Sequence, residues 1–110
     1  MDYMEKIRRM RRGEISNEAI HERLVAIRKA TGFTAKDLAA SAGMPYTTFK
    51  SQEVAGAPSL KMIDFYWKSF DVDANFIIGG DGSRILPDTL TEILTHLDDP
   101  SSNTSEKAGG

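Results

Sequence analysis

Apolar residues recur along the chain at intervals of three and four, and Gly, Pro and Ser break that recurrence into short segments, the pattern of a chain built from helices. Tyr3, Ile7 and Met10 stand at i, i+4 and i+7 between Asp2 and Arg12, with acids in the first turn and bases in the last, and predict a short helix ending at Gly13. Ser16 is a good N-cap for a helix whose Ile20, Leu24 and Ile27 repeat until Gly32. Thr34, with Asp37 three residues on, resembles a capping box and opens a third helix with a small-residue inner face of Leu38, Ala39 and Ala42, closed by Gly43. Pro45 suits a first helical turn, so a fourth helix is predicted over Pro45 to Val54 with Phe49 and Glu53 on one face.

After Ala55-Gly56-Ala57-Pro58, Ser59 caps a fifth segment in which Leu60, Ile63, Trp67 and Phe70 form an apolar stripe, the expected core anchor. Asp73 caps a brief helix over Ala74 to Ile78, closed by Gly79-Gly80, with Phe76 and Ile77 covering the bottom of the bundle. Pro87 opens a last helix with a narrow seam of Leu90, Ile93, Leu94 and Leu97. That seam needs a partner: it folds back on the domain, or it pairs with its equivalent in a second chain, and periodicity does not choose between the two. From Pro100 the sequence has nothing to bury, and a disordered tail is expected. The reading is all-α, with residues 1–15 a basic helix or arm, 16–82 the main domain, 83–99 a C-terminal amphipathic helix and 100–110 the tail. Neither repeats nor strand alternation interrupt it.

A chain of 110 residues and 12.1 kDa has room for one core. It contains no cysteine, which removes disulfides, thiolate metal sites and thiol nucleophiles together. Its longest apolar runs are a few residues, so neither export nor membrane insertion is expected, and the cytoplasm is the expected compartment. The formal net charge of −2 conceals an asymmetry: residues 1–56 hold ten Lys and Arg against seven Asp and Glu, residues 57–110 four against nine. Since screening confines fields to about 8 to 10 Å, local clusters decide what the chain attracts. The densest, Lys6, Arg8, Arg9, Arg11 and Arg12, reads equally as a solvated terminus or as a phosphate-binding arm.

Catalytic patterns are lacking. His21 and His96 are distant in sequence, the Gly79-Gly80-Asp81-Gly82 turn lacks the flanking strand of a phosphate loop, and the acid pair Asp98-Asp99 lies on a polar terminus where nothing is expected to perturb it. No enzyme activity, cofactor, metal or small-molecule ligand is predicted.

Two short helices joined by Gly43-Met44-Pro45 are the sequence sign of a helix-turn-helix, whose second helix can enter a major groove. Arg23-Leu24, Ile27-Arg28, Gly32-Phe33-Thr34, Asp37-Leu38-Ala39, Ala42-Gly43-Met44-Pro45, Phe49, Glu53 and Pro58-Ser59 resemble, in order and spacing, the Cro/CI-type (XRE) helix-turn-helix domain of bacterial and phage repressors. The resemblance runs from about Ile20 to Gly80, and Phe70-Asp71-Val72 with Phe76-Ile77-Ile78-Gly79-Gly80 is similar to the domain ending of phage CI-type repressors. It implies a five-helix lambda-repressor-like bundle, here with an extra N-terminal and an extra C-terminal helix. It also implies a salt bridge between Arg28 and Glu53 that locks the recognition helix to its scaffold.

Matched to the family position by position, Tyr46, Thr47 and Ser51 fall where base edges are contacted, and Thr48 and Lys50 where phosphates or flanking groups are. Lys36 and Lys61 are further candidate phosphate ligands, with Arg11 and Arg12 if the N-terminal helix reaches the duplex. Three features depart from the family: Pro45 replaces the small polar cap, Ala35 stands where many members carry Gln, and Val54-Ala55 displace the glycine after Glu53. The chain is also too short for the self-cleaving domain many such repressors carry. The resemblance implies a sequence-specific DNA-binding regulator, a repressor that occupies an operator as a homodimer with double-stranded DNA as its partner. The rival is a protein-interaction module, an antitoxin or phage adaptor, that uses the C-terminal seam to hold its partner.

Overall fold

Five helix starts in this chain are each fixed by one side chain. Asp2, Ser16, Thr34, Ser59 and Asp73 accept hydrogen bonds from the backbone N–H three residues on, at 2.7–3.3 Å, satisfying donors that the first turn leaves free. In the computed structural model, which describes residues 1–100, the helices are α1 (Tyr3–Met10), α2 (Asn17–Thr31), α3 (Ala35–Ala42), α4 (Tyr46–Ala55), α5 (Leu60–Phe70), α6 (Ala74–Gly79) and α7 (Pro87–Leu94). No strand occurs among the described residues, and none of their helices is long and apolar enough to cross a membrane. The tail expected over residues 100–110 falls, Pro100 apart, outside them.

The longest helix, α2, is the axis of the molecule because two of its faces are occupied. Asn17, His21, Leu24 and Arg28, at i, i+4, i+7 and i+11, lie along one side, and the first, second and fourth make polar contacts with α4 or the glycine that caps it. Ile20, Arg23 and Ile27, all buried, lie along the other face, and α6 and α7 also pack on this helix. Leu38, Met44 and Phe49 fill the wedge between α3 and α4, and Ala39, almost fully buried, lets those helices approach.

Three expectations need correction. First, α1 ends at Met10 rather than running to Gly13: Arg11 turns left-handed (φ 54°), and the Gly13 N–H donates to the Gly79 carbonyl at 2.8 Å. Second, Pro45 precedes the first turn of α4 instead of forming it. Third, the inward face of α5 is Met62, Phe65 and Tyr66, whereas Leu60 and Trp67 are 83% and 59% exposed. The aromatic cluster decides this. Tyr66 packs at 5.4–6.4 Å from the rings of Phe49, Phe65 and Phe70, and a helix turned to bury Trp67 would carry Tyr66 away from them.

The seam of Leu90, Ile93, Leu94 and Leu97 takes the first of its two expected courses, the fold-back. It closes on its own chain, with Ile93, Leu94 and Leu97 buried and Leu90 packed against the same core. The basic N-terminal helix holds it there. Arg9 donates to the Leu94 and Leu97 carbonyls (3.3 and 2.9 Å) at and just beyond the end of α7, and Arg8 grips the buried Asp99 carboxylate through two bonds of 3.2 Å. The acid expected to stand alone is thus a clasp between the two ends of the described chain.

Candidate nucleic-acid interface

The short helix α4 has one face that is locked and one that is free. Phe49 and Glu53, four residues apart, are 0% and 1% exposed and point into the molecule. Tyr46, Thr47, Thr48 and Ser51 are exposed, and the hydroxyls of Thr47, Thr48 and Ser51 make no hydrogen bond among the described residues. Such hydroxyls can donate to or accept from an external base or phosphate.

Three contacts from α2, those of Arg28, His21 and Asn17, fix the direction in which that free face points. Arg28 Nε donates to Glu53 Oε2 at 2.8 Å and its Nη2 to Oε1 at 3.2 Å, the side-by-side geometry in which a guanidinium matches a carboxylate. Lys50 Nζ adds a third bond to Oε1 at 3.3 Å. The carboxylate in turn raises the Arg28 pKa above the ordinary arginine value. The His21 Nδ1–H donates to the Glu53 carbonyl at 2.8 Å, and Asn17 Nδ2 to the Gly56 carbonyl at 3.1 Å. Gly56 closes α4 with φ +63°, and its α-carbon lies so near α2 that a Cβ there would sit 1.8 Å from the Asn17 carbonyl oxygen. Only glycine fits that approach.

The other end of α4 is set by the turn from α3. The Gly43 and Met44 N–H groups donate back to Ala40 and Ala39, and Lys61 Nζ reaches across from α5 to the Gly43 carbonyl at 2.9 Å. Lys36 lies over the Tyr46 ring, 5.6 Å from its centroid. Lys36, Lys50 and Lys61 therefore gather around α3, α4 and the turn between them. Over residues 34–61 they face one solvent-exposed carboxylate, Asp37, because Glu53 is buried and already matched by Arg28.

Arg11 and Arg12 do not join this group. Arg11 is held by Glu14 (2.5 Å), Glu22 and, at 3.9 Å, Glu18, so its charge is spent within the chain. Arg12 lines the groove between α1 and α7 beside Asp81. Arg11 is thus engaged by the chain's own acids, whereas Arg12 is exposed and makes no ion pair among the described residues.

Three supporting residues, Arg23, His21 and Asn17, have roles that the sequence reading did not assign them. Arg23, 1% exposed, donates five bonds of 2.7–3.3 Å to the carbonyls of Met10, Arg11, Glu14, Ile77 and Ile78, joining the C-terminal ends of α1 and α6 to α2. Helix C-termini carry partial negative charge, which is how a buried guanidinium persists there without a carboxylate. Burial lowers its pKa but leaves it a cation. The signal was present: an arginine inside the stripe of Ile20, Leu24 and Ile27 occupies a core position. His21 and Asn17 carried no such signal, because a polar residue on a helix is ordinarily solvated. No family model, curated protein or solved structure was found to match the chain.

Proposed function

We propose that the chain is a sequence-specific DNA-binding transcriptional regulator, a repressor of the Cro/CI type that acts in the cytoplasm by occupying an operator as a homodimer. In this reading α2 to α6 form a lambda-repressor-like helix-turn-helix domain, α3 and α4 are the helix-turn-helix proper, and α4 enters the major groove. Tyr46, Thr47 and Ser51 meet base edges, and Thr48, Lys36, Lys50 and Lys61 meet phosphates or flanking groups. The function is binding rather than catalysis.

The observation that carries the reading is the contrast along α4. Phe49 and Glu53 are buried, with Glu53 bonded to Arg28 of α2, while Thr47, Thr48 and Ser51 are exposed with unused hydroxyls. A helix held so firmly yet presenting small polar groups is suited to a groove. Hydroxyls lack the bidentate reach of Arg on guanine, so selectivity leans also on DNA shape and on half-site spacing, about 34 Å for two recognition helices one turn apart. The rival reading depended on an available C-terminal seam, and that seam is buried.

Selection of bound sequences from random duplexes, followed by titration at several salt concentrations, tests the proposal. Three lysines per protomer, about six per dimer, predict a log–log salt slope near −5. Thr47→Ala with Ser51→Ala is expected to erase sequence preference while leaving the fold intact. Failure to bind any duplex at low salt overturns it.

A further inference from the structure

Two helices stop at the same place on the side of the molecule that α4 does not use. Gly32 ends α2 and Asp71, left-handed at φ 58°, ends α5, while α7 packs on α2 and passes beside both ends. An open cavity of 340 Å³ lies between them, a volume within the range of small-molecule sites. Ile27, Phe70, Val72 and Ile93 give it a mainly apolar lining.

The polar edge of that cavity has a single sign. Asp88 and Glu92, four residues apart on one face of α7, both line it, and no Lys or Arg does. Asp88 makes no ion pair among the described residues, and it stands in the first turn of α7, where the helix dipole favours a carboxylate in its charged form. Glu92 has His96 at 3.6 Å, a residue outside the lining that carries charge only when protonated. Ala30 and Thr31, the last residues of α2, complete the edge, and their carbonyls accept no hydrogen bond among the described residues. A helix C-terminus adds partial negative charge of its own.

An apolar cavity edged by anions and helix-end carbonyls is complementary to an organic cation with an apolar body, and it disfavours a carboxylate of the same shape. We infer that this cavity binds a small primary amine in its ammonium form. The apolar body lies against Ile27, Phe70 and Ile93, and the ammonium meets Asp88 and Glu92. An ammonium has three N–H donors, enough for two carboxylates and one carbonyl at the end of α2. Such a ligand goes beyond DNA binding and touches none of the groups assigned to it.

The probe is 2-phenylethylammonium, titrated into the labelled chain without DNA. Amide shifts should saturate with a Kd below about 1 mM, moderate for a molecule of that size, and should centre on Ala30, Thr31, Val72 and residues 88–93. The uncharged 2-phenylethanol should bind about tenfold more weakly, and 3-phenylpropanoate should not bind. Asp88→Asn combined with Glu92→Gln should lower the affinity for the ammonium to that of the alcohol and leave the alcohol unaffected. Both side chains are exposed, so circular dichroism should not change. An ammonium that fails to saturate below about 1 mM overturns the inference, as do equal affinities for ammonium and alcohol in the wild type. A double variant that binds the ammonium as the wild type does, or shifts centred on another face, overturns it too. Since no duplex is present, none of these outcomes bears on the function proposed for α4.

Discussion

Removing Arg28 should destabilise the protein more than removing Glu53, although Arg28 is the more exposed partner. Glu53 is 1% exposed and the Arg28 side chain 19%. Arg28→Ala strands a carboxylate in the interior with only Lys50, itself 40% exposed, to balance it. Loss of one member of a fully buried pair costs about 3–5 kcal/mol, and the surviving lysine contact brings the expected value here to about 3 kcal/mol. Glu53→Ala releases two cations that can turn towards water, which limits the loss to about 2 kcal/mol. Glu53→Gln keeps the shape and one acceptor and should cost about 1 kcal/mol. Urea unfolding followed by circular dichroism measures all three, with unchanged slopes showing that stability alone has moved. The double substitution should fall short of the sum by about 2 kcal/mol. An Arg28→Ala loss below about 0.5 kcal/mol, the range of an ordinary surface residue, refutes the idea that this pair orients α4.

Arg23→Met should be among the most damaging single changes, at about 3–5 kcal/mol, because five carbonyls at buried helix ends lose their donor; a midpoint shift under about 1 kcal/mol in the same urea assay contradicts this. Gly56→Ala, which must both hold φ +63° and clear the Asn17 carbonyl, should lose at least about 2 kcal/mol and weaken duplex binding with it; a neutral result would mean that α4 does not rest on α2 as described. Tyr66→Phe should be neutral or stabilising, since the buried hydroxyl has no hydrogen-bond partner in the structure. Burial raises the Tyr66 pKa in the folded state, so above pH ~10, the ordinary tyrosine value, the unfolded chain ionises first and stability falls. Tyr66→Phe should make that alkaline fall shallower, and an unchanged slope on alkaline unfolding would rule the assignment out.

The helices were legible because their punctuation is local. Ser16, Thr34, Ser59 and Asp73 cap in the structure where short-range chemistry places them, and Gly32 and Gly43 end helices as a left-handed turn requires. Arg28 and Glu53 were legible for another reason: twenty-five residues separate them, and only the family resemblance linked them. What stayed hidden was the outcome of competition between alternatives of equal local merit. The α5 pattern offers two apolar stripes, and packing against Phe49 selected the one containing Tyr66. The α7 seam could face inward or outward, and the Arg9 and Arg8 clasps that hold it in come from residues more than eighty positions away. The same clasps explain why the basic N-terminus misleads. A run of arginines looks like a phosphate-binding arm until the acids and carbonyls that satisfy Arg8, Arg9 and Arg11 are brought to it by folding.

The central claim is that the outward side of α4 meets a DNA groove. The most direct measurement is amide chemical-shift mapping of the labelled chain as a selected duplex is added at low salt. The account predicts the largest changes at residues 46–51, smaller ones at Lys36 and Lys61, and little change in α1 or α7. Perturbations confined to α1, or none at all in the presence of bound duplex at α4, would contradict it.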